Sequence, residues 1–220
     1  MKTILKPMIL GVAILFAAST TASAVVPIVN SWTGTQAIPD NNASGVAFAF
    51  NVSAPGPLVI TNVTVDLNIA GGWDGDLYAY LSHGSGFSVL LNRVGRTAGN
   101  PDGSSLFGMN ISLADSYLTD IHNFAGAPLA GNFAPDGRNV NPFTALDTDP
   151  RNAPLGNFTG LDPNGTWTLF FADLSPLPLP TSAIQSWTVN LGVTVPEPSP
   201  AALFTLVGLL GFARRFVQKR

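Results

Sequence analysis

Val63-Thr64-Val65-Asp66-Leu67-Asn68-Ile69 alternates apolar and polar side chains at every step. In an extended chain this puts Val63, Val65, Leu67 and Ile69 on one face and Thr64, Asp66 and Asn68 on the other, the pattern of a half-buried strand. Trp187, Val189, Leu191, Val193 and Val195 repeat it near the other end, opposite Ser186, Thr188, Asn190 and Thr194. Residues 46–52, 77–81, 87–91 and 166–172 add four shorter candidates, and Asp102-Gly103, Asp136-Gly137 and Asn164-Gly165 supply turns between them. Six or more strands, each with one apolar face, must close in two layers, so the expectation is an all-β, antiparallel β-sandwich.

Composition agrees. Residues 25–195 hold twelve Asp, no Glu, no Lys and only Arg93, Arg96, Arg138 and Arg151, a formal balance of −8. The usual helix formers of protein surfaces are missing, while Gly, Pro, Asn, Ser and Thr abound. An acidic surface repels phosphate backbones and attracts divalent cations, which argues against a nucleic-acid partner. The chain has no cysteine, which excludes thiol catalysis, cysteine zinc sites and iron–sulfur clusters. A region of this length buries about 70% of its unfolded surface, enough for a core without disulfides.

Both ends read as targeting segments. Lys2 and Lys6 precede an apolar stretch over 8–18, and Ala22-Ser23-Ala24 is an A-x-A cleavage site, so residues 1–24 form a secretory signal peptide with its signal helix. At the other end Pro196, Glu197 and Pro198 lead into an apolar run over 201–213 that meets Arg214, Arg215, Lys219 and Arg220. Such a helix is about 20 Å long, short against a hydrocarbon core of about 30 Å, and its cations favour a cytoplasmic end. Residues 196–220 resemble the PEP-CTERM sorting signal. The resemblance implies a transmembrane sorting helix, recognition of Pro196, Glu197 and Pro198 by an exosortase, and Arg214 with Arg215 as the stop. It also implies a destination in the cell envelope or an exopolysaccharide matrix.

Three segments of the intervening 25–195 domain resemble the P domain, or P/Homo B domain, of subtilisin-like proprotein convertases. They are residues 63–69 running into Gly75, Asp76, Leu77, Leu81 and Ser82; Gly165-Thr166-Trp167-Thr168-Leu169 ending at Asp173; and Ser186-Trp187-Thr188-Val189. The chain departs from the family at Gly72, Trp73 and Asp74, where a His is usual, and at His83, where a Pro is usual. The resemblance covers roughly residues 45–195 and implies a jelly-roll-like sandwich with an accessory or binding role. Only about twenty residues separate Val25 from the first expected strand, so no catalytic domain is expected ahead of it.

Catalysis is not expected. His83 and His122 read as loop residues, no Gly-x-Ser-x-Gly elbow is present, and Gly84-Ser85-Gly86 fits a hairpin turn. Calcium is the better chemical expectation: Asp74 and Asp76 flank Gly75, and Asp173 ends a neighbouring strand, so carboxylates and loop carbonyls could supply the oxygens a hard cation needs. The alternative is that Asp-Gly merely forms a turn and the carboxylates face water. Trp167 and Trp187 are expected in the core, whereas Trp32 or Trp73 could stack on a sugar ring. Residues 120–160, poor in periodicity, read as a long surface loop pinned by Phe124, Phe133, Phe143 and Phe158. Together these features describe an exported, non-catalytic binding or structural module whose partners are an exosortase, the membrane and an exopolysaccharide or envelope protein. The alternatives are an accessory domain of a separate serine endopeptidase, a weak hydrolase, and a lectin-like binder.

Overall fold

The computed structural model describes residues 24–176 and 181–196. Ala22, Glu197, Pro198, Arg214, Arg215, the segments expected to form the signal and sorting helices, and the prolines at 178 and 180 lie outside the described residues. Among those described, no helix is long and apolar enough to cross a membrane.

Nine strands form two sheets. They are β1 (Val26–Ala37), β2 (Asn42–Val52), β3 (Val59–Trp73), β4 (Leu77–His83), β5 (Gly86–Asn92), β6 (Phe107–Leu113), β7 (Leu129–Phe133), β8 (Gly165–Asp173) and β9 (Ala183–Thr194). One sheet runs β1-β9-β3-β6-β7 and the other β2-β8-β4-β5. The described residues are all-β, as the alternating segments require. β3 lies at the centre of its sheet with Val63, Val65, Leu67 and Ile69 buried, and β9 pairs with it so that Val65 faces Val189 and Leu67 faces Trp187.

Three expectations are corrected. The sheet is not wholly antiparallel, because β6 and β7 run parallel, joined by a connection long enough to return the chain to the same end. A twelve-residue strand, β1, precedes residue 45. It escaped the period-two pattern because Asn30 occupies an inward position between Ile28 and Trp32, and because an edge strand needs only a partly apolar face. Val195 lies past β9 and is 53% exposed, so the apolar face of that strand closes at Val193.

The two layers are joined by aromatic rings. Trp167 on β8 stacks on His83 of β4 (centroids 4.2 Å apart, 4° between planes) and on Phe50 of β2 (6.1 Å, 8°), and Phe158 covers it at 5.0 Å. Phe50 in turn stacks on Trp187 of the opposite sheet at 5.3 Å, so one continuous column crosses the sandwich. The Trp167 indole N–H donates to the Pro163 carbonyl at 2.9 Å, which satisfies its single polar group in the core. Trp167→Ala is expected to lower the unfolding free energy by about 3–5 kcal/mol, the usual cost of deleting a buried aromatic ring. Val29→Ala on the exposed side of β1 should stay within about 0.5 kcal/mol of the parent. Urea titration of both variants checks this.

Candidate functional site

The corner between β3 and β4 holds buried acidic side chains, Asp74 and Asp76 on the turn and Asp173 at the end of β8. After Trp73 the chain makes one 3-10 turn, Asp74–Asp76, before entering β4. Backbone bonds hold that turn from behind: the Asp74 N–H donates to the Leu106 carbonyl and the Gly75 N–H to the Ser104 carbonyl, each at 2.9 Å. A side chain at Gly75 would collide with the backbone of residues 102–104, so only glycine permits this approach. The end of β8 closes the other side, where the Leu174 N–H donates to the Asp76 carbonyl at 2.9 Å.

Asp74 and Asp76 are fully buried, and all four of their carboxylate oxygens lack a hydrogen-bond partner. The expectation that this turn might simply face water is therefore overturned. Burial alone pushes Asp74 up to about 8. Burial, reinforced by the nearby Asp173 charge, takes Asp76 up to about 6, while the Arg93 guanidinium opposes the rise from 3.6 Å. Arg93 reaches in through a backbone at φ 59°, a left-handed conformation rare for an arginine, and its Nε donates to the Gly75 carbonyl at 2.7 Å. Asp173 is buried at the end of β8, accepts from the Ser182 hydroxyl at 3.0 Å, and is likewise shifted upward by burial. The Arg93 guanidinium thus faces Asp76 and Asp173, whereas Asp74 is shifted by burial alone. Among the described residues, no three His, Cys, Asp or Glu side chains are gathered as a metal cage. A cation here would need backbone carbonyl oxygens beside the carboxylates, which calcium accepts.

The region read as a surface loop holds a second buried polar cluster, a correction to both histidine assignments. His122 is fully buried in a 3-10 turn, with Nδ1 2.6 Å from Asp136 Oδ2 and Nε2 2.8 Å from the Arg96 carbonyl. Both partners only accept, so both nitrogens donate when the ring is the imidazolium. Burial alone would lower its pKa, but the Asp136 contact outweighs that and raises it. Asp136 also accepts from the Asn92 and Arg138 amides, and Arg138 bridges Asp136 and Asp120, reaching the latter at 2.8 Å. Arg151 donates to the carbonyls of Pro135 and Asp136. His83 ends β4, with Nδ1 3.0 Å from the Thr166 carbonyl and Nε2 2.8 Å from that of Asp162. Of the four phenylalanines expected to pin the loop, Phe133 and Phe158 are buried, Phe124 is half-buried, and Phe143 is exposed. Sequence reasoning missed the Asp120–His122–Asp136–Arg138 cluster because its members carry no regular spacing. The two histidines among so few cations were the only hint.

Trp73 is half-buried and lies across from Phe107, which is 56% exposed, while Trp32 packs 4.8 Å from Phe48 between the sheets. Trp73, not Trp32, is the tryptophan associated with a surface aromatic. The geometry does not bring Trp73 and the aspartates into one described pocket.

No family model matches the chain, and no curated protein matches it. A solved structure, the complex of an Aeromonas sobria serine protease and its chaperone, contains a chain similar to this one at 14% identity and a TM-score of 0.45. The match covers 79% of this chain and spans only 28% of that one.

The raised carboxyls make stability depend on pH with a defined sign. Between its ordinary 3.8 and about 8, Asp74 holds a proton in the folded state that it releases when unfolded, so stability falls as pH rises through that interval. His122 acts the same way: its stabilisation is complete below its ordinary 6.5 and is lost as pH rises through the higher folded value. In chelator, denaturant midpoints should therefore decline from mildly acidic to mildly alkaline pH, and Asp74→Asn should flatten the decline and raise stability at its alkaline end. An unchanged slope in that variant would remove Asp74 from the account.

Proposed function

We propose that the chain is an exported, non-catalytic β-sandwich that serves as a binding or structural module of the cell envelope or an exopolysaccharide matrix. The observation that carries the non-catalytic part is that both histidines have both ring nitrogens engaged: His83 by two backbone carbonyls, His122 by a carboxylate and a carbonyl. Both rings are buried against these partners, whereas general-base chemistry requires a ring within hydrogen-bond reach of a substrate proton. Delivery rests on the sequence of the two ends: the signal peptide cut after Ala24, and the Pro196-Glu197-Pro198 tail with Arg214 and Arg215, which an exosortase would read and cut.

Calcium is part of the same reading. Asp74 and Asp76 would hold it, with Asp173 nearby, and the four orphaned oxygens of the first two fit a hard cation better than they fit an empty apolar corner. The ion would remove the burial cost that drives both carboxyls toward protonation. An accessory role beside a separate serine endopeptidase remains the second reading, carried by the P-domain resemblance of β3, β8 and β9; co-purification of such a protease would favour it.

In a host that possesses an exosortase, Glu197→Ala should block C-terminal cleavage and leave the protein in the membrane fraction. Unchanged release would sink the sorting assignment. For the ion, the melting temperature of residues 25–195 should rise by several degrees in calcium relative to chelator, since a ligand at about 100 times its dissociation constant adds about 2.7 kcal/mol. Asp76→Ala should abolish the difference, and equal melting in both buffers would leave the aspartates without an ion.

A further inference from the structure

β1 and β2 are the edge strands of the two sheets, and they lie on the same side of the sandwich, because Trp32 of β1 meets Phe48 of β2 at 4.8 Å. Among the described residues, β1 pairs only with β9 and β2 only with β8, so the outer row of backbone donors and acceptors on each strand faces away from the protein. An open edge of this kind templates pairing with another strand. The contrast with β5, the other edge of the smaller sheet, is clear. There the segment 136–153 lies along the edge, with the Val89 N–H on the Ala153 carbonyl and the Asp136 and Gly137 amides on the Leu90 and Val89 carbonyls.

Proteins usually guard open edges with charges, and this edge has none. From Ala24 to Val65 the only charged residue is Asp40, at the corner between the strands, and neither β1 nor β2 contains one. The remaining protections are Pro27 and two register shifts, at Thr33/Gln36 and Asn42/Val46, which leave residues 26–33 of β1 in unbroken register. Four of the seven large apolar residues exposed among the described ones, Val25, Val26, Val29 and Val195, gather on this side.

Charge also selects the occupant. A basic partner would be drawn to the half of the chain that carries aspartates, from Asp66 onward, and not to this neutral edge. Two copies of an acidic protein repel unless they meet where carboxylates are absent, and the β1 side is where they are absent. All four arginines of the sandwich are held by internal carbonyls or carboxylates, and Arg151 alone among them is exposed, which leaves little positive charge to bridge two acidic surfaces elsewhere. An antiparallel edge is also complementary to itself about a two-fold axis.

We propose that the protein self-associates through β1, which pairs antiparallel with β1 of a second copy and joins the two five-stranded sheets into one continuous sheet. Val29, Ser31 and Thr33 face the outer surface of that sheet, opposite Asn190, Thr188 and Ser186, so whichever of them lies at the axis would stand opposite its own counterpart.

The chain has no cysteine, which makes single introductions unambiguous. Val29→Cys, Ser31→Cys and Thr33→Cys, made one at a time in the full chain and oxidised in the producing cells, should give a disulfide-linked dimer at one or more of the three positions. Leu118→Cys, at a fully exposed site away from β1, should give none. In parallel, sedimentation of the released protein should show a dimer, and Val29→Asp should weaken its dissociation constant at least about tenfold, or about 1.4 kcal/mol, with an unchanged near-ultraviolet spectrum. If that variant misfolds, Ser31→Asp takes its place. A strictly monomeric protein, equal cross-linking at Leu118, or a dimer indifferent to the charged variants would each overturn the proposal.

Discussion

The ring stack on Trp167 is the interaction on which the rest of the sandwich depends. One indole touches β2 through Phe50, β4 through His83 and the 155–158 turn through Phe158, and Phe50 hands the contact on to Trp187 in the facing sheet. A two-layer β protein has no helix to fill the space between its sheets, so large flat rings do that work at low conformational cost. The stack also explains His83. Its ring is a structural plate whose nitrogens reach the backbone of the strand that carries Trp167 and of the turn before it.

A second constraint acts where rings cannot. The chain from 120 to 153 runs with little regular structure, and a buried irregular segment must satisfy its backbone some other way. It does so through Asp136, whose carboxylate binds His122, Arg138 and the Asn92 amide, and through Arg151, which takes two carbonyls of the same stretch. In this low-dielectric setting a densely partnered cluster specifies one arrangement, although Arg138 Nε and Asn92 Oδ1 are left without a partner. The corner at Asp74 and Asp76 is the opposite case. It is equally buried, the Asp74 oxygens have no donor, and Asp76 has the Arg93 guanidinium at 3.6 Å.

Strands with one face in the core and one in solvent were legible from residue order alone, and β3, β4, β5, β8 and β9 fall where alternation puts them. The core roles of Trp167 and Trp187 were equally plain from their phase. β1 was not, because an edge strand makes weaker demands on its apolar face and Asn30 sits at an inward position. β6 and β7 were not, because Gly108 and Gly131 interrupt short segments that rely on neighbours for their burial. Asp74, Asp76 and Asp173 were legible as candidates, but their burial was not: it arises from the 102–106 backbone and the end of β8 closing over the turn, contacts distant in sequence. The His122 cluster is the extreme case, since its members are united only by the path of the chain.

The pairing of β1 with β9 has a mechanical consequence. Val26 stands opposite Val193, so the sandwich begins and ends at adjacent points on neighbouring antiparallel strands. A load applied between the two ends would fall on one rung of the ladder at a time and peel β1 away like a zip. A load between Pro196 and the far side of the sandwich would have to shear β9 against both β1 and β3 at once. The same fold is thus weak when pulled by its own two ends and strong when it hangs from one of them.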